Sequence, residues 1–211
     1  MTSFIPIFPL GIVVYPGEML NLHIFEPRYK QLIAECVKNK KPFGIPVVSK
    51  EKINETGTEM EVPEISHTYG DGEMDIKTKG TKVFRILEII KEIPEKLYSG
   101  AIVNFPENDE QGNGVLMQNL VKGIKELHKL LSIEKKFNKP DTELCCYDVA
   151  HHLGLSLTEE YELLELFKEL QRQEYLKRHL KKVLPLMAEM KMLKERVKLN
   201  GHFKHLGGKG L

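Results

Sequence analysis

The hydrophobic period of this chain changes at one place, the polar stretch "PENDEQGNG" (106–114). Before it, "FGIPVVS" (43–49), "KVFRILEII" (82–90) and "YSGAIVNF" (98–105) are rich in β-branched and aromatic residues and read as strands. After it, "VLMQNLVKGIKELHKLLSIEKKF" (115–137) repeats Leu and Ile every three or four residues, which is the period of a helix. "TELCCYDVAHHLG" (142–154) reads as a short helix ended by glycine. Residues 156–184 read as one long helix, opened by Ser156 and Glu159 as a capping box. The chain is therefore expected to be α+β. Residues 1–110 form a β unit, 111–200 a helical bundle with a long last helix, and 201–211 a flexible tail.

Within the β half, Pro6, Pro9, Pro42, Pro46 and Pro63 belong at strand ends, bulges or edges. Gly70-Asp71-Gly72 and Gly80-Thr81 supply turn residues. Short, irregular strands of this kind suit a small closed or half-closed barrel. One helix interrupts them, over about residues 27–39. Pro27 fits its first position, where a missing N–H costs nothing. Tyr29, Leu32, Ile33, Cys36 and Val37 make one apolar stripe.

A hydrophobic fraction of 41% and a charged fraction of 29% are those of a folded globular chain. The net charge of +1 excludes a polyelectrolyte, so nucleic acid is not the expected partner. That total hides a split. Residues 155–171 carry Glu159, Glu160, Glu162, Glu165 and Glu169 against Lys168, whereas 172–211 carry eleven Lys or Arg against three Glu. The odd cysteine count, with Cys145 beside Cys146, points to a reducing compartment rather than a disulfide scaffold. No basic, uninterrupted leader opens the chain, and no window reaches 18 apolar residues. A cytoplasmic protein without membrane contact is expected.

Few residue patterns point to chemistry. His23 and Glu26 have the side chains of an acid/base or metal pair, but the chain passes from strand to helix between them. The structural alternative has Glu26 capping the helix and Arg28 pairing nearby. Cys145, Cys146, His151 and His152 are metal-binding types, yet adjacent cysteines diverge by about 100° on a helix. "DVAHHLGLSLTEEYELLEL" mimics a helix-turn-helix, but its second helix offers glutamates that DNA repels. "GHFKHLGGKGL" has Phe203 and Gly210 where a phosphate loop needs Gly and Ser or Thr. No catalytic residue, metal or cofactor is expected. Val183, Leu186, Met190, Leu193 and Val197 recur at 3-4-3-4 spacing, extended by Met187, with Pro185 placed to kink the helix. Val183, Leu186, Met187, Met190 and Leu193 are the candidate polypeptide-binding or self-associating residues, because Met-rich faces adapt to varied partners.

The opening "IPIFPLGIVVYPGEMLNLHIFEPRYKQLI" strongly resembles the start of the Lon protease N-terminal, substrate-binding domain, whose pattern is roughly "LPLFPL…VLFPG…LPLHIFEPRY". The signature residues are Pro9, Leu10, Pro16, Gly17, His23, Phe25, Glu26, Pro27, Arg28 and Tyr29. "GTEMEVPEI" (57–65), "IKTKGTKVFRI" (76–86) and "YDVAHHLGLSLTEEYELLEL" (147–166) resemble later parts of that family. The resemblance implies a six-stranded, PUA-like pseudo-barrel followed by a helical bundle. It implies a non-catalytic module that recognises unfolded or degron-bearing polypeptides through apolar surface, on the barrel and in the groove between barrel and bundle. It also implies a stand-alone member without the family's ATPase and Ser–Lys protease domains, since no Walker motif is present. Two alternatives accompany it: an adaptor or regulator of full-length Lon, and an RNA-binding PUA-like module using the basic C-terminal segment. Self-association through the last helix is a further expectation.

Overall fold

The computed structural model describes residues 2–206, with side chains through Val197. Its strands are β1 (Thr2–Pro6), β2 (Met19–Ile24), β3 (Phe43–Ser49), β4 (Lys52–Thr68), β5 (Met74–Ile90) and β6 (Gly100–Asn104). Its helices are α1 (Pro27–Asn39), α2 (Gly114–Leu131), α3 (Cys146–Val149), α4 (Leu157–Leu164) and α5 (Glu169–Leu206), with a 3₁₀ turn at Ala150–His152. Two compact units result. One comprises Met1–Gln111 and Leu155–Glu169, the other Gly112–Gly154 and Leu170–Leu211.

The first unit is a six-stranded antiparallel sheet in the order β1-β6-β5-β4-β3, with β2 also on β5. The chain just after β1 closes it. Ile7 and Leu10 bridge Gly44 and Val47 of β3 in parallel. Phe8 N–H donates to the Gly44 carbonyl at 2.8 Å, and Val48 N–H to the Leu10 carbonyl at 2.7 Å. This closure makes the pseudo-barrel and satisfies strand edges that would otherwise lie open. Ile5, Ile7, Phe84, Ile86, Ala101 and Val103 fill one core. The α1 stripe fills another, with Tyr29, Leu32, Ile33 and Cys36 against Phe8, Ile24, Phe43, Ile45, Met60 and Ile76. Val37 lies at the stripe's margin, 38% exposed.

Strands β4 and β5 run 17 residues each. Register shifts between Thr58 and Met60, Glu61 and Glu64, and Ile65 and His67 bend β4. Its first part thus pairs with β3, while Glu61–Thr68 joins β5 and β2 in a three-stranded ribbon. Gly80, read from sequence as a turn residue, lies inside β5 instead. A Cβ there would strike the Tyr15 carbonyl oxygen. Its N–H donates to the Glu18 carbonyl at 2.8 Å, and its carbonyl accepts from Gly17 N–H at 2.9 Å. Glycine is therefore required by a backbone crossing rather than by a turn.

In the second unit, α2 starts on Asn113, whose side chain accepts from Leu116 N–H at 2.9 Å. It ends at Leu131, because Ser132 enters the left-handed region at φ 56° and returns its N–H to the helix. The helix expected over 115–137 is shorter for this reason. Met117, Leu120, Val121, Ile124 and Leu127 are its buried face. From α5, Leu176 and Leu180 are buried, and so is Arg172, which donates to Tyr147 Oη at 3.0 Å.

The helix expected over 156–184 is broken. The Ser156–Glu159 capping box forms, but α4 ends at Leu164. Phe167 and Lys168 turn instead to Asp109, whose N–H donates to the Phe167 carbonyl at 2.7 Å and whose carbonyl accepts from Glu169 N–H at 2.9 Å. Backbone pairing thus overrides a helix-compatible sequence. The same pairing places α4 with the sheet unit rather than with the bundle. Tyr15 Oη donates to the Glu160 carbonyl at 3.1 Å, and Thr56 N–H donates to Tyr161 Oη at 3.2 Å. Helix α5 is unbroken through Pro185 and continues to Leu206. The tail expected from 201 therefore begins in helix, and 207–211 lie outside the described residues.

A Cβ added at Gly57 would sit 2.5 Å from the Ile45 carbonyl oxygen and 2.6 Å from Pro46 Cα, both backbone atoms. Gly57→Ala should destabilise the protein by about 1–3 kcal/mol, the cost of overpacking. Gly70→Ala, which meets nothing within 4 Å, should change the urea midpoint little. Equal midpoints for the two variants would contradict the barrel packing described.

Candidate functional site

The signature segment builds scaffold. Phe8 stacks on Tyr29 with ring centroids 3.8 Å apart, joining the segment after β1 to α1. Gly17 takes φ 86° at the turn that meets Gly80. Glu26 occupies the N-cap position of α1 but makes no side-chain cap. The expected capping role is thus replaced by a pair with Arg28, at 2.9 Å to Nε and 2.7 Å to a terminal nitrogen. Arg28 also lies over the Tyr29 ring, 4.5 Å from its centroid.

His23 bonds other carboxylates. On the three-stranded ribbon, Asp75 stands opposite both His23 of β2 and His67 of β4. His23 Nδ1 lies 2.7 Å from Asp75 Oδ1, and Nε2 lies 3.1 Å from Glu73 Oε2. Tyr69 Oη donates to the second Asp75 oxygen at 2.8 Å. The next row pairs Lys77 with Glu64 at 2.9 Å. This is a solvated, charge-paired sheet face. The His23–Glu26 acid/base pair does not assemble.

The cysteine–histidine candidates also disperse. Cys145 is the N-cap of α3, its N–H donating to Asp148 Oδ2 at 3.0 Å, and Cys146 is fully buried. His128 Nε2 donates to the His152 carbonyl at 3.0 Å. Among the described residues, no group of three or more His, Cys, Asp or Glu side chains is placed to hold a metal ion. Burial pushes the Cys36 thiol up to about 12, so it stays neutral and unreactive.

The proposed contact residues on α5 divide by exposure. Leu186 is 56% exposed, Met190 48% and Leu193 58%, whereas Val183 and Met187 are half-buried. Val197, in the same 3-4 spacing, is also exposed. Lys182, Lys194 and Arg196 flank this row together with Glu189, and all four are exposed. The row is therefore exposed apolar surface rather than core.

The sheet unit carries a feature that motif reading missed. A half-open cleft of about 330 Å³ is lined by Ser3, Phe4, Ile5 and Pro6 of β1, by Cys36 of α1, and by Pro42. At its wall, Lys96 Nζ bonds both Glu35 oxygens at 2.8 Å, and Tyr98 Oη donates to Glu35 at 2.7 Å. These donors hold the Glu35 carboxyl below the usual carboxylate range. The strand–helix order brings these residues together, and no local pattern in the sequence marks them.

A family model described as the ATP-dependent protease La (LON) substrate-binding domain matches residues 5–182. The fold is similar to that of a Lon N-terminal domain protein from Xanthomonas campestris, at 23% identity and a TM-score of 0.62, over 82% of this chain and 96% of that one. It is likewise similar to the N-terminal domain of a Mycobacterium avium complex Lon protease, at 12% identity and a TM-score of 0.60, over 85% and 98%. No described helix is long and apolar enough to cross a membrane.

The His23 cluster gives a pH prediction. Its bonds to Asp75 and Glu73 favour the imidazolium and raise its pKa above 6.5. The pair holds the Asp75 carboxyl below its ordinary value. The His23 contribution to stability is therefore full below pH 6.5 and disappears as pH rises through its own higher value. The Asp75 contribution is present above its unfolded value, about 4, and is lost as pH falls further. An NMR titration should place His23 above 6.5 and show Asp75→Asn moving it down. A His23 midpoint at or below 6.5 in the native protein would contradict the pairing.

Proposed function

This chain belongs to the LON substrate-binding domain family, and on that premise we propose that it is a non-catalytic module that binds unfolded or degron-bearing polypeptides. The observation that carries the reading is the exposed apolar row Leu186, Met190, Leu193 and Val197 on α5. Such a row takes up the apolar side chains that an unfolded chain exposes and a folded one hides. Met190 adds an adaptable side chain, which suits a surface with many clients. The buried Cys36 and the adjacent Cys145 and Cys146 accord with work in a reducing cytoplasm. An adaptor acting on full-length Lon would use the same surface with a fixed partner.

The cations on this helix favour a second reading. Lys181, Lys182, Lys194 and Arg196 would meet phosphates if the partner were RNA. Salt separates the two, because phosphate contacts release counterions and apolar contacts do not.

Reduced, carboxymethylated α-lactalbumin is a permanently unfolded probe. The triple variant Leu186→Ser, Met190→Ser, Leu193→Ser should bind it at least about tenfold more weakly than wild type, with unchanged helical circular dichroism. Wild-type affinity should change little between 50 and 500 mM salt. Unchanged affinity in the variant would remove α5 as the contact surface. Tight, steeply salt-dependent binding of single-stranded RNA, with no binding of the unfolded probe, would favour the second reading.

A further inference from the structure

Four consecutive residues of a strand, Ser3 to Pro6, line the cleft of the sheet unit. Neighbouring strand residues point to opposite faces. A cavity touching all four therefore runs along the backbone edge of β1 rather than over one face.

The hydrogen-bond phase shows which edge. Ile7 N–H donates to the Ser99 carbonyl at 3.0 Å, so odd-numbered residues of this segment turn their backbone groups toward β6. Phe8 N–H donates in the other direction, to Gly44 of β3. Even-numbered Thr2, Phe4 and Pro6 thus face away from β6. Phe4 N–H and C=O point along the cleft side.

Among the described residues this edge has no strand partner, because β3 starts too late. The parallel Ile7–Gly44 bridge would continue backwards as Ile5 beside Pro42 and Ser3 beside Lys40. However, β3 begins at Phe43, and the chain before it turns off into α1 through Lys40, at φ 51°. A gap remains where a strand would otherwise lie, walled by Phe4, Pro6, Pro42 and Phe105. Its two carboxylates already have donors, Lys96 and Tyr98 on Glu35 and Thr81 on Glu59. Lys41 is exposed beside them and forms no ion pair among the described residues.

We propose that this gap is a β-augmentation site, in which an extended segment of the bound polypeptide lies in the line that β3 vacates and pairs with the Phe4 edge. This rests on the polypeptide-binding reading and names its mode. Backbone N–H and C=O at strand spacing are complementary to another extended backbone, whatever its sequence. Apolar side chains of the segment would rest on the Phe4, Pro42 and Phe105 wall. An acidic side chain or terminal carboxylate of the segment would meet Lys41.

The test uses the same unfolded α-lactalbumin probe with the full chain. In wild type, saturating probe should slow amide exchange at Phe4 at least about tenfold and leave Ile5, already bonded to β6, unchanged. Phe4→Pro removes the edge N–H and keeps the β1–β6 ladder, since Pro6 already occupies the same phase. Phe4→Ala keeps the N–H and removes the ring. Phe4→Pro should bind the probe several-fold more weakly than Phe4→Ala. If the probe binds but Phe4 exchange is unaltered, the augmentation site is overturned and the polypeptide-binding reading stands. If wild type does not bind the probe, both fall. If Phe4→Pro fails to fold, the wild-type exchange result decides alone.

Discussion

The sheet unit depends on one seam, where the chain from Ile7 to Leu10 leaves β6 and turns its hydrogen bonds to β3. A single segment serves two neighbours in succession. That switch closes a sheet of short strands into a barrel and brings Phe8 onto Tyr29, which anchors α1 over the second core. The same switch leaves a fault. Before Ile7 the segment has β6 on one side and, among the described residues, no strand on the other. Closure and the open cleft are therefore two consequences of one geometry.

Much of this was legible in the sequence where local chemistry and tertiary packing agree. Helix α1 begins at Pro27 and buries Tyr29, Leu32, Ile33 and Cys36 as its period requires. β3 spans Phe43–Ser49, as its run of β-branched and aromatic residues suggests. Where the reading failed, a distant partner decided. Gly80 looks like a turn residue until the Tyr15 carbonyl is seen against it. "LELFKEL" has helical period, yet Asp109 takes the backbone of Phe167 and Glu169. Glu26 stands at a cap position, but Arg28, two residues on, binds its carboxylate more closely than the backbone does.

The candidate surface was legible in a similarly uneven way. The 3-4 spacing on α5 identifies Leu186, Met190 and Leu193, and the structure leaves them exposed. It half-buries Val183 and Met187, which share that spacing but lie on a more shielded side of the helix. The cleft beside β1 carried no sequence signal, because its wall joins Phe4, Pro42 and Phe105 from separate parts of the chain. His23 carried a misleading signal. Its carboxylate partners are Glu73 and Asp75, across the sheet, rather than Glu26, three residues away. The two proposed contacts, an apolar row and a strand edge, would make no sequence-specific demand on a partner, as a module that recognises unfolded chains rather than one fold requires.

Burial of apolar surface on binding has a heat-capacity signature that ionic contacts lack. Calorimetric titration of the full chain with a permanently unfolded polypeptide, repeated across a range of temperatures, measures it directly. The account predicts binding with a distinctly negative heat-capacity change, and no binding of the same polypeptide in its folded, disulfide-bonded form. Absence of binding, equal binding of the folded form, or a heat-capacity change near zero would contradict it.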